Sequence, residues 1–530
     1  MLPLLLQAFF TLPAAYAAER FVNPAHPAAS DSGPGSATSP YRTLGHAARS
    51  LRPGDTLTIA PGVYRESLSF PEAAWGSAGT VVQGASGAEV LIKGSDAVAG
   101  WEPAGGGVFV KRGWSANSQQ VFVDGRPLRQ IGGTILNGFP ERPGHPMAKL
   151  HASQGGIWPG RVAGGRDDLV DGSFFYDAAA KSLTIKVPLA SLEGHTVEAS
   201  VRPFLIQGKG LKKVTLRNLR LQHANTTAVA QSGAVTLLGE DLTLERIEVT
   251  NVDGAGFDLT GERITVRDSR ANDNGQVGMK VRGRGNRLIG NETSRNNTRG
   301  FNKWWEAGGA KFVGGGGLRD SEVSGHRAIG NHGDGLWFDW MNRNNRVHGN
   351  VVAYNAGFGI HYEASQKGSF TDNYVFANGQ RGIYLPNCSE CVVERNLVAA
   401  NRMEGIVIVD ERKSARPELL PRGNRVVGNI VAWNGRAAVV LPANGEGNVS
   451  DHNVYVDAKD PPLFSLGWAT RERPVRKGLE AWKSASGQDA NSRSELIEVP
   501  PALMKAWQAR EIEPDWSALT GVAAPAGPKR

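Results

Sequence analysis

Asp339 and Glu363 stand 24 residues apart, and each lies four places after a glycine, in Gly335-Leu-Trp-Phe-Asp339 and Gly359-Ile-His-Tyr-Glu363. A pair of carboxyl groups is the basic equipment for acid/base and nucleophilic work on a glycosidic bond. On adjacent strands of a parallel stack, residues in register sit one strand spacing apart, ~4.8 Å, so the two headgroups are expected about 5 Å from each other. Retaining glycosidases hold nucleophile and acid/base ~5–5.5 Å apart, whereas inverting enzymes leave ~6.5–9.5 Å for a water. Two like charges this close resist joint ionisation, which keeps one carboxyl protonated and able to donate to a leaving group. The plainer alternatives are acidic residues on a solvated strand face or a cation site.

The residues around the pair strengthen the catalytic reading. Positions two and four after each such glycine form two columns: Asp258, Lys280, Lys311, Trp337, His361, Tyr384, and Thr260, Arg282, Val313, Asp339, Glu363, Pro386. Trp337, His361 and Tyr384 offer aromatic faces with polar edges, suited to a sugar ring. Lys311 adds a cation on the preceding unit. Any one of these is unremarkable on a surface; the column as a whole is the signal.

That register depends on an internal repeat. The pattern Asn-x-x-x-Gly followed by an alternating strand recurs at Asn274/Gly278, Asn331/Gly335, Asn355/Gly359, Asn378/Gly382 and Asn401/Gly405, with later spacings of 24, 23 and 23. A second row, Asn350, Asn373 and Asn396, repeats at 23, and the glycine row extends back through Gly309, Gly256 and Gly233. Leu336 and Phe338, Ile360 and Tyr362, Ile383 and Leu385, and Ile406 and Ile408 alternate with the outward columns and are expected to face the core. Units of about 23 residues without 3.6-residue periodicity argue for an all-β fold, a parallel β-helix (solenoid), rather than helical repeats. Asparagine tolerates left-handed turns and its amide can bond the next amide along a stack, so the Asn rows are read as structural ladders.

Stepping outward along the chain, residues 203–457 are expected to form about ten β-helix coils by this period. Residues 18–100 read as an N-terminal cap with the first coils, an amphipathic helix following Pro40 and Thr43. Residues 101–202 lack the repeat and show hairpin signals around Asp124-Gly125 and Asp177, which marks an inserted β-rich module. Residues 458–530 read as a wrapping tail with one short helical signal at GLEAWKSAS. Two coils are overlong. One excess carries FNKWWEAG, with Trp304, Trp305 and Glu306; the other carries DERKSARPELLPRG. Long loops on a regular scaffold are where binding residues collect, so both are expected to wall a groove. The four glycines 314–317 lack the Lys-Ser/Thr of a phosphate loop and read as a turn.

Composition narrows the remaining classes. In 530 residues, Lys+Arg 59 against Asp+Glu 51 gives a mild net charge of +8, and no basic run interleaved with aromatics indicates nucleic-acid binding. Two cysteines, Cys388 and Cys391, exclude a disulfide scaffold and a four-cysteine zinc site. No cofactor or metal is implied. The apolar segment 1–17, closed by Ala15-Tyr16-Ala17, reads as a signal peptide, and no later segment is apolar enough to span a membrane, so a secreted or periplasmic protein is expected.

The opening FVNPAHPAASDSGPGSATSPYRTLGHAARSLRPGDTLTIAPGVYRE resembles the entry segment of secreted right-handed parallel β-helix proteins of the pectate-lyase-like superfamily. The β-helix with an inserted module containing VFVDGRPL and VEASVRP, then GLWFD and, one coil later, GIHYEAS, is similar to glycoside hydrolase family 120 β-xylosidases. The tail's Trp482 and SGQDANS also look like the closing segment of such proteins. The resemblance implies Asp339 as nucleophile and Glu363 as acid/base, without carrying xylose specificity. Three functions remain in play: a retaining glycoside hydrolase on a polysaccharide or oligosaccharide; a polysaccharide lyase or uronate epimerase with Lys311 as base, helped by Arg282 or His361; and a non-catalytic glycan-binding surface protein.

Overall fold

The computed structural model describes residues 17–519 except 73–74, 77, 88, 134–161, 227–231, 305, 412–416, 445, 459, 469 and 471–473. The leader reading and Trp305 therefore lie outside the described residues, save for Ala17. Alternation of apolar and polar residues builds a solenoid of parallel strands arranged in sheets of 16, 14 and 7 strands. In the 14-stranded sheet the strands Ala255–Glu262, Val277–Arg284, Gly308–Phe312, Asp334–Asp339, Ile360–Glu363, Ile383–Pro386 and Ile406–Val409 pair in chain order. The inward set named from the sequence, Leu336 and Phe338 through Ile406 and Ile408, lies in the central apolar core.

Coil length is less regular than the sequence period suggests. Phe257 pairs with Met279, Met279 with Ala310, Ala310 with Leu336, Leu336 with Ile360 and Ile360 with Ile383, steps of 22, 31, 26, 24 and 23 residues. Because the early coils are 22 long, Val235 pairs with Phe257, and the glycine row continues through Ala234 rather than Gly233. The row itself has a steric cause. A Cβ on Gly359 would lie 2.4 Å from the Val375 side chain, 2.6 Å from the Gly382 carbonyl and 2.9 Å from Asn378 Nδ2, so side chains are excluded where the next coil's asparagine reaches back.

The asparagines are ladders. Asn355 Nδ2 donates to Asn378 Oδ1 at 2.9 Å and to the Ala328 carbonyl at 2.9 Å, and its backbone N–H donates to the same Oδ1 at 3.2 Å. Asn378 and Asn401 repeat this, with Asn434 accepting at the end, and so do Asn350, Asn373, Asn396 and Asn429, with Asn453 accepting at the end. The left-handed turn residue is not the asparagine, however. Tyr354, Ala377 and Ala400, each immediately before a ladder Asn, have φ of 59°, 51° and 52°. The bonding that the ladder supplies outweighs their steric cost, so the asparagine's own turn preference is not what selects it.

Between Ser95–Ala97 and Val197–Ser200, which pair antiparallel, the chain leaves the solenoid to form two further sheets of 4 and 5 strands. Its hairpins turn at Asp124-Gly125 and after Asp177. The joint is ionic and aromatic: Glu198 meets Lys93 at 2.8 Å and Arg65 at 2.6 Å, and Phe122 stacks on His223 at 3.6 Å. At the N-terminal end the helix Leu44–Ser50 is capped by Thr43 Oγ1, which accepts the His46 N–H at 3.2 Å. At the other end the helix Leu479–Ser486 buries Trp482, whose Nε1 donates to Asp489 Oδ2 at 2.8 Å. A second tail helix, Pro501–Gln508, was not anticipated; Leu503 seats it in an apolar cluster with Val351, Phe376 and Leu397.

Candidate active site

Strand register places the two carboxyl residues. Asp339 pairs with Glu363, Trp337 with His361, Lys311 with Trp337 and His361 with Tyr384. Immediately after each acid the chain turns left-handed, at Trp340 (φ 54°) and Ala364 (φ 46°), so both carboxyls end their strands at a rim. Val313 departs from the expected column. The ladder stops at Phe312 and resumes at Leu318, the four glycines 314–317 between them all having positive φ.

The column faces away from the apolar core but is not a solvated face. Lys280, Lys311 and His361 are 2%, 5% and 3% exposed, because the overlong loops fold over them. Glu306, from the first loop, meets Lys280 at 3.1 Å; Lys280 also lies 3.9 Å from Asp258, which Arg282 approaches to 3.3 Å. Trp304 packs edge-on against Phe358 at 5.6 Å. From the second loop, Glu411 accepts from the Tyr384 hydroxyl at 2.8 Å and from Trp468 Nε1 at 3.1 Å.

Lys311 Nζ is 3.1 Å from Asp339 Oδ2 and 3.4 Å from the centre of the Trp337 ring. Burial pushes the Asp339 carboxyl above the usual range, Lys311 opposes it and the neighbouring Glu363 charge adds to it. The Asp258 carboxyl is likewise raised by burial against the pull of Lys280 and Arg282. Trp337, His361 and Tyr384 form a continuous stack with centroid separations of 5.1 and 5.0 Å. Several buried polar atoms here have no hydrogen-bond partner among the described residues: Trp337 Nε1, His361 Nε2, Asn302 Nδ2 and both amide atoms of Gln276. Buried polar groups are normally satisfied, so this concentration of unbonded atoms beside the carboxyl pair makes the face a candidate ligand site.

The site thus unites Asp339, Glu363, Lys311, Trp337, His361, Tyr384, Trp304 and Glu306. Sequence reasoning missed a third column, one place before each glycine, where Asp334, Phe358, Arg381 and Glu404 sit. Asp334 bonds His361 Nδ1 at 3.0 Å; Arg381 lies 4.5 Å over Tyr384 and 4.6 Å over Trp468 and pairs with Glu404 at 2.9 Å. The alternation counted from the glycine assigns outward positions only after it, but the residue before it also packs on the outward column, Asp334 against His361 and Phe358 against Tyr384. A cavity of about 630 Å³ between the inserted module and Thr298-Arg299 shares no lining residue with the carboxyl pair. Cys388 and Cys391 are free, buried thiols beneath the site, Cys388 Sγ donating to the Tyr362 carbonyl at 2.7 Å. Among the described residues no group of three or more His, Cys, Asp or Glu is placed to hold a metal ion.

The fold is that of the right-handed parallel β-helix proteins. The family model described as "Right handed beta helix region" matches residues 204–387 and 319–453. No curated protein matches the chain. Among solved structures the chain is similar to XylC in complex with xylose, with 14% identity, a TM-score of 0.59 and 83% of each chain covered. It is also similar to a protein described as a glycoside hydrolase, with 14% identity, a TM-score of 0.54, and 82% of this chain and 96% of that one covered. At this identity the likeness establishes the architecture. Among the described residues no helix is long and apolar enough to cross a membrane.

Proposed function

We propose that the protein is an exported, secreted or periplasmic, retaining glycoside hydrolase acting on a polysaccharide or oligosaccharide, with Asp339 as nucleophile and Glu363 as acid/base. The observation that carries this reading is the strand register pairing Asp339 with Glu363, residues one strand spacing apart on the same face, from which two carboxyls can reach a common sugar at the separation a retaining enzyme uses. Two half-buried carboxyls on neighbouring strands do not both ionise cheaply. Lys311, 3.1 Å from Asp339, opposes the burial that raises that carboxyl and favours its charged form, so Asp339 is assigned the charge and Glu363 the proton. Asp339 then attacks the anomeric carbon while Glu363 gives its proton to the glycosidic oxygen, and the leaving sugar departs. Glu363, now a carboxylate, takes a proton from a water that attacks the same carbon, and the bond to Asp339 breaks. Lys311 steadies Asp339 as its charge is consumed and restored. The aromatic stack and the unpartnered polar atoms bind the ring. Solved relatives described as a xylose complex and a glycoside hydrolase lend support to a sugar substrate.

The lyase or epimerase reading requires Lys311 as a neutral amine. Its Nζ instead lies 3.1 Å from Asp339 Oδ2 and 3.4 Å from the centre of the Trp337 ring, engaged by both rather than turned to a substrate proton. The other column cations, Lys280, Arg282 and Arg381, are also matched by carboxylates, leaving little positive charge to receive a uronate. A screen of neutral and acidic polysaccharides, scored for reducing ends and for ultraviolet-absorbing unsaturated ends, tests the choice. Reducing ends with retained anomeric configuration are expected, with Glu363→Ala about 10²–10⁴-fold slower and partly restored by azide. Unsaturated products, or full activity in Glu363→Ala, refute the reading; saturable binding without product makes the chain a binding protein.

A further inference from the structure

His361 is held on every side. Its ring is stacked between Trp337 and Tyr384 at 5.1 and 5.0 Å and meets Phe358 edge-on at 4.9 Å, so it cannot turn without breaking the aromatic column. Its Nδ1 lies 3.0 Å from Asp334 Oδ2. The other oxygen of Asp334, Oδ1, accepts the Phe358 backbone N–H at 2.8 Å, which fixes the carboxylate plane. An ionised carboxylate only accepts, so the Nδ1 proton must be on the imidazole. That leaves Nε2, which is buried, unpartnered among the described residues and 3.7 Å from Glu363 Oε2.

We infer that Asp334 and His361 form a positioning pair for Glu363, in which Asp334 fixes the His361 tautomer so that the Nε2 lone pair faces the Glu363 carboxyl and supports it in its protonated form. The inference rests on the proposed retaining mechanism for its consequence, but its geometry stands apart from it. His361 transfers no proton in net terms. It offers an acceptor to the acid before the proton leaves for the glycosidic oxygen, and again when water returns one. The other charged groups around the ring are Asp339, which ends the neighbouring strand, Lys311 over the far side of Trp337, and Arg381 and Glu411 against Tyr384. None of these bonds either ring nitrogen, so the tautomer is set by Asp334.

Asp334→Asn tests the pair with almost no change of shape. Because the Phe358 N–H requires an oxygen at Oδ1, the new amide must place its NH2 where Oδ2 stood, facing Nδ1. His361 then has to accept there and carry its proton on Nε2, toward Glu363, which favours the carboxylate. The alkaline limb of kcat/KM is expected to move toward acid by about one pH unit, whereas a purely structural role lowers activity without moving the limb. An alkaline limb that stays in place in a folded, active Asp334→Asn variant overturns the inference. Nitrogen-15 NMR of histidine-labelled protein near pH 8, with the His361 signals identified by their loss in His361→Gln, reads the tautomer directly. Nε2 is expected to be unprotonated in the parent and protonated in Asp334→Asn. The same tautomer in both overturns the pair whether or not any glycoside is hydrolysed, while a switched tautomer in a protein with no hydrolase activity leaves the pair standing and removes the proposed reaction.

Discussion

Two rows of buried polar side chains run along this solenoid, and they differ in one respect. In the asparagine ladder each amide is consumed by the next: Asn378 accepts from Asn355, donates to Asn401 at 2.9 Å and donates to the Val352 carbonyl at 3.0 Å. In the column from Asp258 to Tyr384 the charges are paired, yet Trp337 Nε1 and His361 Nε2 have no hydrogen-bond partner among the described residues. Both rows are equally buried. Burial therefore does not separate these two rows; the completeness of their side-chain bonding does, and an unsatisfied buried group costs about 1–3 kcal/mol.

The contrast is open to attack from both rows. The largest effect belongs to the site: Asp339→Ala should lower turnover by about 10⁴-fold or more in steady-state assays while leaving the circular dichroism spectrum unchanged. If it unfolds the protein instead, the column is scaffold. The next belongs to the ladder. Asn378→Ala strands the Asn355 backbone and side-chain donors and removes the bond to the Val352 carbonyl, and should cost about 3 kcal/mol in urea unfolding, with the folded fraction keeping its specific activity.

An effect of similar size, seen only on acidification, separates the rows by pH. His326 stands at the head of the second ladder, its N–H donating to Asn350 Oδ1 at 2.8 Å, and burial pushes its imidazole down to about 4. Its folded value lies below the unfolded 6.5, so the unfolded chain binds the extra proton and stability falls as pH drops from about 6.5 towards 4. The loss should reach about 3 kcal/mol, and unfolding curves of His326→Asn should show that slope reduced. The smallest effect is at the groove wall. Trp304→Ala should raise KM about 10-fold with kcat nearly unchanged; a lower kcat with KM intact would place Trp304 with the reacting groups instead.

Much of this was legible before any coordinates. The recurrence of Asn-x-x-x-Gly with alternating strands specifies coils in register, and register alone puts Asp339 beside Glu363 and Lys311 beside Trp337. Reading the repeat as strictly 23 residues displaced the row by one at Gly233, because the early coils are a residue shorter. Asp334 escaped notice because its partner is a nitrogen one coil away, on a ring whose orientation depends on packing from both neighbours. Glu411 and Trp468 escaped for a similar reason: they reach Tyr384 from a loop and a terminal strand region that no period relates to it.

Sequence by itself determined what one-dimensional periodicity can carry: which residues face inward, which stack in columns, and which coils are interrupted by long loops. A solenoid makes this possible, since each coil contacts mainly its neighbours and position in the repeat converts directly into position in space. Only the tertiary structure decided that the outward column is covered, which cation meets which carboxylate, and where bonding was left incomplete. Those depend on loops of irregular length folding back over a regular face, and the path of such a loop is set by contacts far apart in the chain rather than by any local pattern.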